Sequence, residues 1–190
     1  VIEPGTVIND LCSHEDFLPT LATAAGDSDV VERVRKGGKI GGKSYHVHLD
    51  GHDLGPFLAG KEKESPREGF AYWSDDGDLL ALRVGNWKAT FLEQQTEVSG
   101  KMPLGVWQGG FTPLRAPNLT NLRADPFERG KEGIYYADWQ IRRIFMLVPA
   151  QVIVAKLLET FKEFPPRAKA ASFTVSDAMG KIPSASPNQN

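Results

Sequence analysis

Two histidines stand two residues apart in the stretch YHVHLDGHDLG, and that spacing could serve a metal ion. On an extended chain, residues i and i+2 project to the same side, so His46 and His48 would point together. Asp50, His52 and Asp53 follow closely and could add ligands. No further His or Cys cluster closes a tetrahedral site, and His14 is the fourth and last histidine of the chain. The alternative is a solvated strand face that runs into an Asp50-Gly51 turn, and the residue types favour it. Asp75, Asp76 and Asp78 could chelate calcium, but an EF-hand loop needs a Glu at its twelfth position. Counted from Asp75, that position is Asn86, so hairpin-turn chemistry is the better reading. Cys12 precedes a helix start, where a thiol pKa can fall. A Cys between Leu11 and a capping residue is more commonly a buried small side chain. Trp73, Trp87, Trp107 and Trp139, with nearby Tyr, could form a sugar-stacking surface or pack in a core.

These residues need elements to hold them. SHEDFLPTLATAAG reads as a helix, with Ser13 as N-cap, Asp16 completing a capping box, Pro19 delaying the first turn and Gly26 as stop. DSDVVERVRK continues as helix and frays into a Gly/Lys-rich loop at 37–43. Val47 and Leu49 alternate with His46, His48 and Asp50, which predicts a short strand, followed by a helical turn over Leu54 to Leu58. KEKESPRE reads as a polar connector. From Gly69 the texture changes. FAYWS and LLALRVG flank Asp75-Asp76-Gly77-Asp78 as a hairpin, NWKATFLEQ follows the turn signal Gly85-Asn86, and a fourth strand ends at Asn121. TEVSGKMPLGVWQGGFTPLRAP, rich in Gly and Pro, reads as a long surface loop.

The stretch NLTNLRADPFERG reads as a joint from strand to helix. Asp125 is placed to cap, Pro126 suits the first helical position, and Glu128 can complete a capping box. Helices then follow in GIYYADWQIRRIFML and, from Pro149, in a segment where Ala150, Ile153, Val154, Leu157, Leu158 and Phe161 form one apolar stripe. That stripe needs a partner, and an antiparallel sheet is the expected one. The tail KIPSASPNQN has the composition of a disordered segment.

The whole-chain totals are those of a soluble globular protein: 190 residues, 41% hydrophobic and 24% charged. A net charge of −2 argues against a nucleic-acid partner. One cysteine excludes an internal disulfide framework. The apolar run IFMLVPAQVIVAKLL is broken by Pro149, Gln151 and Lys156 and reads as too short and interrupted for a membrane span. No signal peptide is visible, and the first residue is Val, which fits a mature product or a piece of a longer chain. There is no G-x-S-x-G, no G-x-x-x-x-G-K-[ST] and no G-x-G-x-x-G.

Several segments, taken together, resemble the C-terminal part of a sulfatase of the bacterial arylsulfatase type. SHEDFLPTLATAAG resembles the family's S-x-x-D-x-x-P-T helix, and LDGHDLGPFLAGK its D-G-x-x-L-x-P-x-L-x-G-K segment. The second hairpin carries the ALR…NWK pattern, and NLRADPFERG resembles the N-L-x-x-D-P-x-E joint. YYADW and LVPAQVIVAKLLETFKEFPPR resemble the family's C-terminus, so the likeness runs from about residue 1 to 175 in the same order and spacing.

The resemblance implies an α+β fold: a small antiparallel β-sheet packed by C-terminal helices, preceded by the last helical segment of an alkaline-phosphatase-like α/β domain. It places the end of that α/β domain at 1–66, the small subdomain with about four strands at 67–165, and a tail at 166–190. It implies a sulfuric ester hydrolase in the full-length protein, with hydrated formylglycine attacking sulfur and calcium stabilising the developing charge. The implied partners are the missing N-terminal catalytic domain and a sulfate-ester substrate, and the implied compartment is periplasmic or secreted. The family's C-x-P-x-R or S-x-P-x-R motif is absent, since Cys12 is followed by Ser13-His14-Glu15-Asp16. No catalytic, cofactor-binding or metal residue therefore carries over to this chain. A stand-alone glycan-binding or structural module is the alternative. If the chain is a piece of a larger protein, the helix with Leu18, Leu21 and Ala25 should show an exposed apolar face.

Overall fold

The computed structural model describes residues 2–94 and 109–165. The expectations for Trp107, for most of the long loop and for the tail therefore lie outside the described residues. A 3-10 turn, His14–Asp16, leads into helix α1, Phe17–Ala24, followed by α2, Val30–Arg35. The Ser13 N–H donates to Asp16 Oδ2 at 2.8 Å, the reciprocal half of the capping box. Pro19 lies three residues into α1, where the start of a helix tolerates its missing N–H.

The Gly/Lys-rich segment is not all loop. Strands β1, Lys39–Ile40, and β2, Lys43–Ser44, pair antiparallel across Gly41-Gly42. Both glycines have positive φ, 55° and 81°, the requirement of a two-residue type I′ hairpin. The strand expected over 45–50 does not form. That segment is extended, but its hydrogen bonds run from Tyr45 N–H to Gly38 O and from Val47 N–H to Val34 O. It lies between the end of α2 and the C-terminal helix and pairs with no second strand among the described residues. The short helix α3, Gly55–Leu58, follows, with Asp53 Oδ1 accepting from the Gly55 N–H at 2.8 Å.

The main sheet has four antiparallel strands in sequence order: β3, Gly69–Trp73; β4, Leu79–Val84; β5, Trp87–Gln94; and β6, Phe111–Asn121. Strand β6 starts well before the expected point, taking in Phe111–Pro117, which the Gly and Pro content assigns to loop. Pro113 and Pro117 are tolerated because β6 is an edge strand, where a missing ladder donor costs little. The turn between β3 and β4 is organised by Ser74, whose Oγ accepts from the Asp76 and Asp78 N–H groups.

The joint at Asp125 ends in a turn and not in a helix. The Asp125 carboxylate accepts from Arg129 N–H at 3.0 Å and from Gly130 N–H at 2.7 Å. Glu128 sits at φ 54°, a left-handed conformation that stops helix growth after one turn. Lys88 of β5 holds its carboxylate at 2.6 Å. Helical structure begins later, with a 3-10 turn at Gly130–Glu132 and helix α4, Tyr136–Ile141. A 3-10 turn at Ile144–Met146 leads into the long helix α5, Leu147–Glu163.

Helix α5 covers the sheet as its apolar stripe requires. Ala150 is buried, Ile153, Val154, Leu157 and Phe161 are half-buried, and Phe161 lies 5.7 Å from Trp73 between ring centres. Leu158 falls on the outer edge of the stripe and is exposed. Ala81, Leu82, Ala89 and Leu119 are the buried apolar residues of the sheet. Each fully buried Leu there contributes roughly 1.5–3 kcal/mol. Val30, Val34, Leu54, Phe57 and Pro19 are the buried apolar residues of the N-terminal helices. The fold is thus α+β, a small antiparallel sheet with C-terminal helices packed on it. One expectation is corrected on length: Ile144–Glu163, with its leading 3-10 turn, spans 20 residues at a mean hydropathy of 1.7 and is long and apolar enough to cross a membrane by length and composition alone. One stripe of the helix rests on the sheet, while Val148, Val152 and Leu158 are exposed.

Candidate functional site

The most tightly built charged site joins the N-terminal helices to the start of the sheet. Asp16 is fully buried, and Arg67, from the segment read as a polar connector, is 5% exposed. Arg67 Nε donates to Asp16 Oδ2 at 2.7 Å and Nη2 to Oδ1 at 2.6 Å, the fork geometry of a bidentate pair. Its remaining donors reach Gly69 O, Asp50 O and Glu15, so the guanidinium is saturated. Asp16 also accepts the His52 N–H at 2.8 Å and the Ser13 N–H. Burial pushes the Asp16 pKa upward, but the bonds from Arg67, His52 and Ser13 outweigh it and hold the carboxyl below its usual range.

Gly51 explains why the 50–52 segment can reach this pair. A Cβ there would lie 2.1 Å from Glu15 O, so only glycine permits the approach. Every group of this cluster is engaged in structure. It can clamp three segments together, but it offers no nucleophile or free acid–base pair.

His46 and His48 do point the same way. Both rings rest on Phe164 at the end of α5, at 4.9 and 5.7 Å between centres. His48 Nε2 lies 3.4 Å from Asp50 Oδ1. His52 is exposed, and Asp53 is committed to capping α3. Among the described residues, no group of three His, Cys, Asp or Glu converges on a point where a metal could bind. His14 and Cys12 are both exposed, so Cys12 is not the buried small residue its neighbours suggested. It lies in an irregular, mostly exposed N-terminal stretch.

The aromatic residues divide by position. Trp73 contacts α5, while Trp87, Trp139 and Tyr136 stack in a row at 6.0 and 5.8 Å. Arg143 lies 4.5 Å over the Trp139 ring. The Tyr136 hydroxyl accepts the Leu119 N–H at 2.8 Å and donates to Leu119 O at 2.9 Å. Gln140 Nε2 donates to Pro117 O at 2.7 Å. Helix α4 thus covers part of the β6 edge, satisfying backbone groups that could otherwise pair with another strand. Beside this contact lies a cleft of about 300 Å3 between β6, the Asp125 turn and α4.

Neither Arg67 nor the Tyr136 hydroxyl was singled out by the sequence. SPRE carries no local signal of burial, because the partner, Asp16, is 51 residues away.

Comparison with protein-family models gives no match. Among curated proteins, human arylsulfatase A is 33% identical over 133 residues, covering 67% of this chain and 23% of its own length. The arylsulfatase A of Bos taurus aligns with the same identity and coverage. Over two thirds of its length the chain is similar to the C-terminal portion of sulfatases. It spans about a quarter of the length of the curated relatives it matches. Among solved structures, the PsFucS1 sulfatase from Pseudoalteromonas sp. aligns at 25% identity and a TM-score of 0.45, covering 64% of this chain and 23% of that one.

Proposed function

We propose that this chain is the C-terminal part of an arylsulfatase-like sulfuric ester hydrolase, inactive alone. In that reading residues 1–66 complete the α/β domain of the longer protein, 67–165 form the small subdomain beside it, and 166–190 are a tail. The observation that carries the reading is the alignment to arylsulfatase A over two thirds of this chain and under a quarter of the relative. The exposed apolar face of α1, formed by Phe17, Leu18 and Leu21, supports it, because a helix of a larger α/β domain buries such a face.

Formylglycine and calcium would be supplied by the rest of the protein. The described residues fit neither: Cys12 lacks the C-x-P-x-R context, and no acidic cluster converges on a point. The role left to this chain is structural. The Asp16–Arg67 clamp fixes the α/β end against the sheet, and the sheet with α5 forms a rigid wall beside the substrate cleft. An exported compartment, periplasmic or secreted, accompanies this assignment.

The test is hydrolysis of an aromatic sulfate ester in the presence of calcium. The 190-residue chain is compared with the same chain joined to the coding sequence upstream. Turnover by the longer protein alone is the expected outcome. Turnover by the 190 residues alone would overturn the proposal, and Cys12, His14, His46 and His48 would then be the first residues to replace.

A further inference from the structure

We infer that the cleft between β6 and α4 is a binding site for a neutral sugar ring. Its volume, about 300 Å3, is at the small end for ligand pockets and suits one ring. Tyr135, Tyr136 and Trp139 supply apolar wall. Tyr135 is 79% exposed at the mouth, while Tyr136 and Trp139 are fixed by stacking and by the Leu119 bonds. One rigid wall and one open aromatic face are what the apolar side of a pyranose requires.

The polar groups select among ligands that an aromatic cleft could take. Thr120 lines the cleft, is 8% exposed, and its hydroxyl has no partner among the described residues. Asn121 spends its Oδ1 on the Arg123 and Ala124 N–H groups, which leaves its amide N–H2 available. Asp125 accepts one backbone N–H at each oxygen and retains acceptor capacity. A pure hydrocarbon would bury these donors and acceptors unpaired, at a cost that a hydroxylated ligand avoids. The lining contains a carboxylate and no Lys, Arg or His, so it disfavours sulfate and phosphate groups. A ligand with an apolar face, several hydroxyls and no negative charge remains. This assignment does not depend on sulfate-ester hydrolysis and can fail or stand separately from it.

The test follows Trp emission and ligand-observed NMR of the 190-residue chain titrated with glucose, galactose and N-acetylglucosamine. Glucose 6-sulfate and indole serve as counter-probes. At least one neutral sugar is expected to bind saturably and better than either counter-probe. Tyr135→Ala removes the open wall without touching a side-chain bond and should weaken binding ~fivefold or more. Thr120→Val, nearly isosteric, should weaken it by about fivefold through loss of one hydrogen bond. Unchanged melting of Thr120→Val keeps the result interpretable if Tyr135→Ala folds poorly. Absence of saturable binding by any neutral sugar would overturn the inference, as would preference for indole or the sulfated sugar, or affinity unchanged in both variants.

Discussion

Arg67 and Asp16, 51 residues apart in the chain, form a bidentate ion pair that is almost wholly out of water. The pair joins the 3-10 turn before α1 to the entry of β3, and through His52 and Asp50 it also holds the segment before α3. Removing one partner leaves the other charged and buried. Asp16→Asn and Arg67→Met should each destabilise the fold by about 3–5 kcal/mol. The double variant should lose less than the sum of the two. Denaturant melts of the three variants check this; additive losses would show that the two residues act separately.

The same pair sets the response to acid. The folded Asp16 pKa lies below its ordinary value of 3.8, and that of Glu93, bonded to Lys131 and Asn118, lies below 4.5. A depressed carboxylate contributes stability that is fully present above the unfolded pKa and is lost as pH falls through the folded one. The chain should therefore keep this contribution at neutral pH and lose it below about pH 4, and Asp16→Asn should flatten that limb of the stability profile. Melting temperature measured from pH 7 down to pH 3 would show it.

Gly51 is required by distance. Gly51→Ala would press a methyl against Glu15 O and push the His52 N–H away from Asp16. A loss of about 2–4 kcal/mol is expected, larger than the ~1 kcal/mol typical of a point change. Gly110→Ala, where nothing lies near the added Cβ, is the control and should be near neutral.

Tyr136→Phe deletes both hydrogen bonds to Leu119 while keeping the ring stack with Trp139. The Leu119 N–H and C=O would be left unpaired on the β6 edge, at a cost of about 1–3 kcal/mol. Faster amide exchange at Leu119, with exchange in β3 and β4 unchanged, would distinguish this local opening from general loosening.

The apolar side chains of α1 bear on the proposed place of the chain in a longer protein. Phe17, Leu18 and Leu21 are 62%, 52% and 66% exposed. The 190-residue chain should bind an apolar dye and self-associate, and Leu18→Gln with Leu21→Gln should reduce both. A monomer by sedimentation without dye binding would count against the α1 face as an interface.

Much of the fold can be read along the chain because its causes are local. The β3–β4 hairpin follows from Ser74 and the Asp-Asp-Gly-Asp turn, and α5 from one apolar stripe at helical spacing. The family motifs, also local patterns, carried the sulfatase reading, and the absent C-x-P-x-R carried the expectation that no catalytic residue lies here. What failed depended on neighbours distant in sequence. Residues 45–50 alternate like a strand but pair with no strand among the described residues, and Phe111–Pro117 read as loop but gain a ladder from β5 because an edge tolerates proline. Asp125-Pro126 carries a helix-start signal, and Lys88 from β5 and the left-handed Glu128 close it into a turn. Sequence alone thus determined the elements whose causes are local and the resemblance to sulfatases. Tertiary structure decided which polar residues are buried together and where an open cleft remains, because burial and pairing arise only when segments far apart in the chain meet.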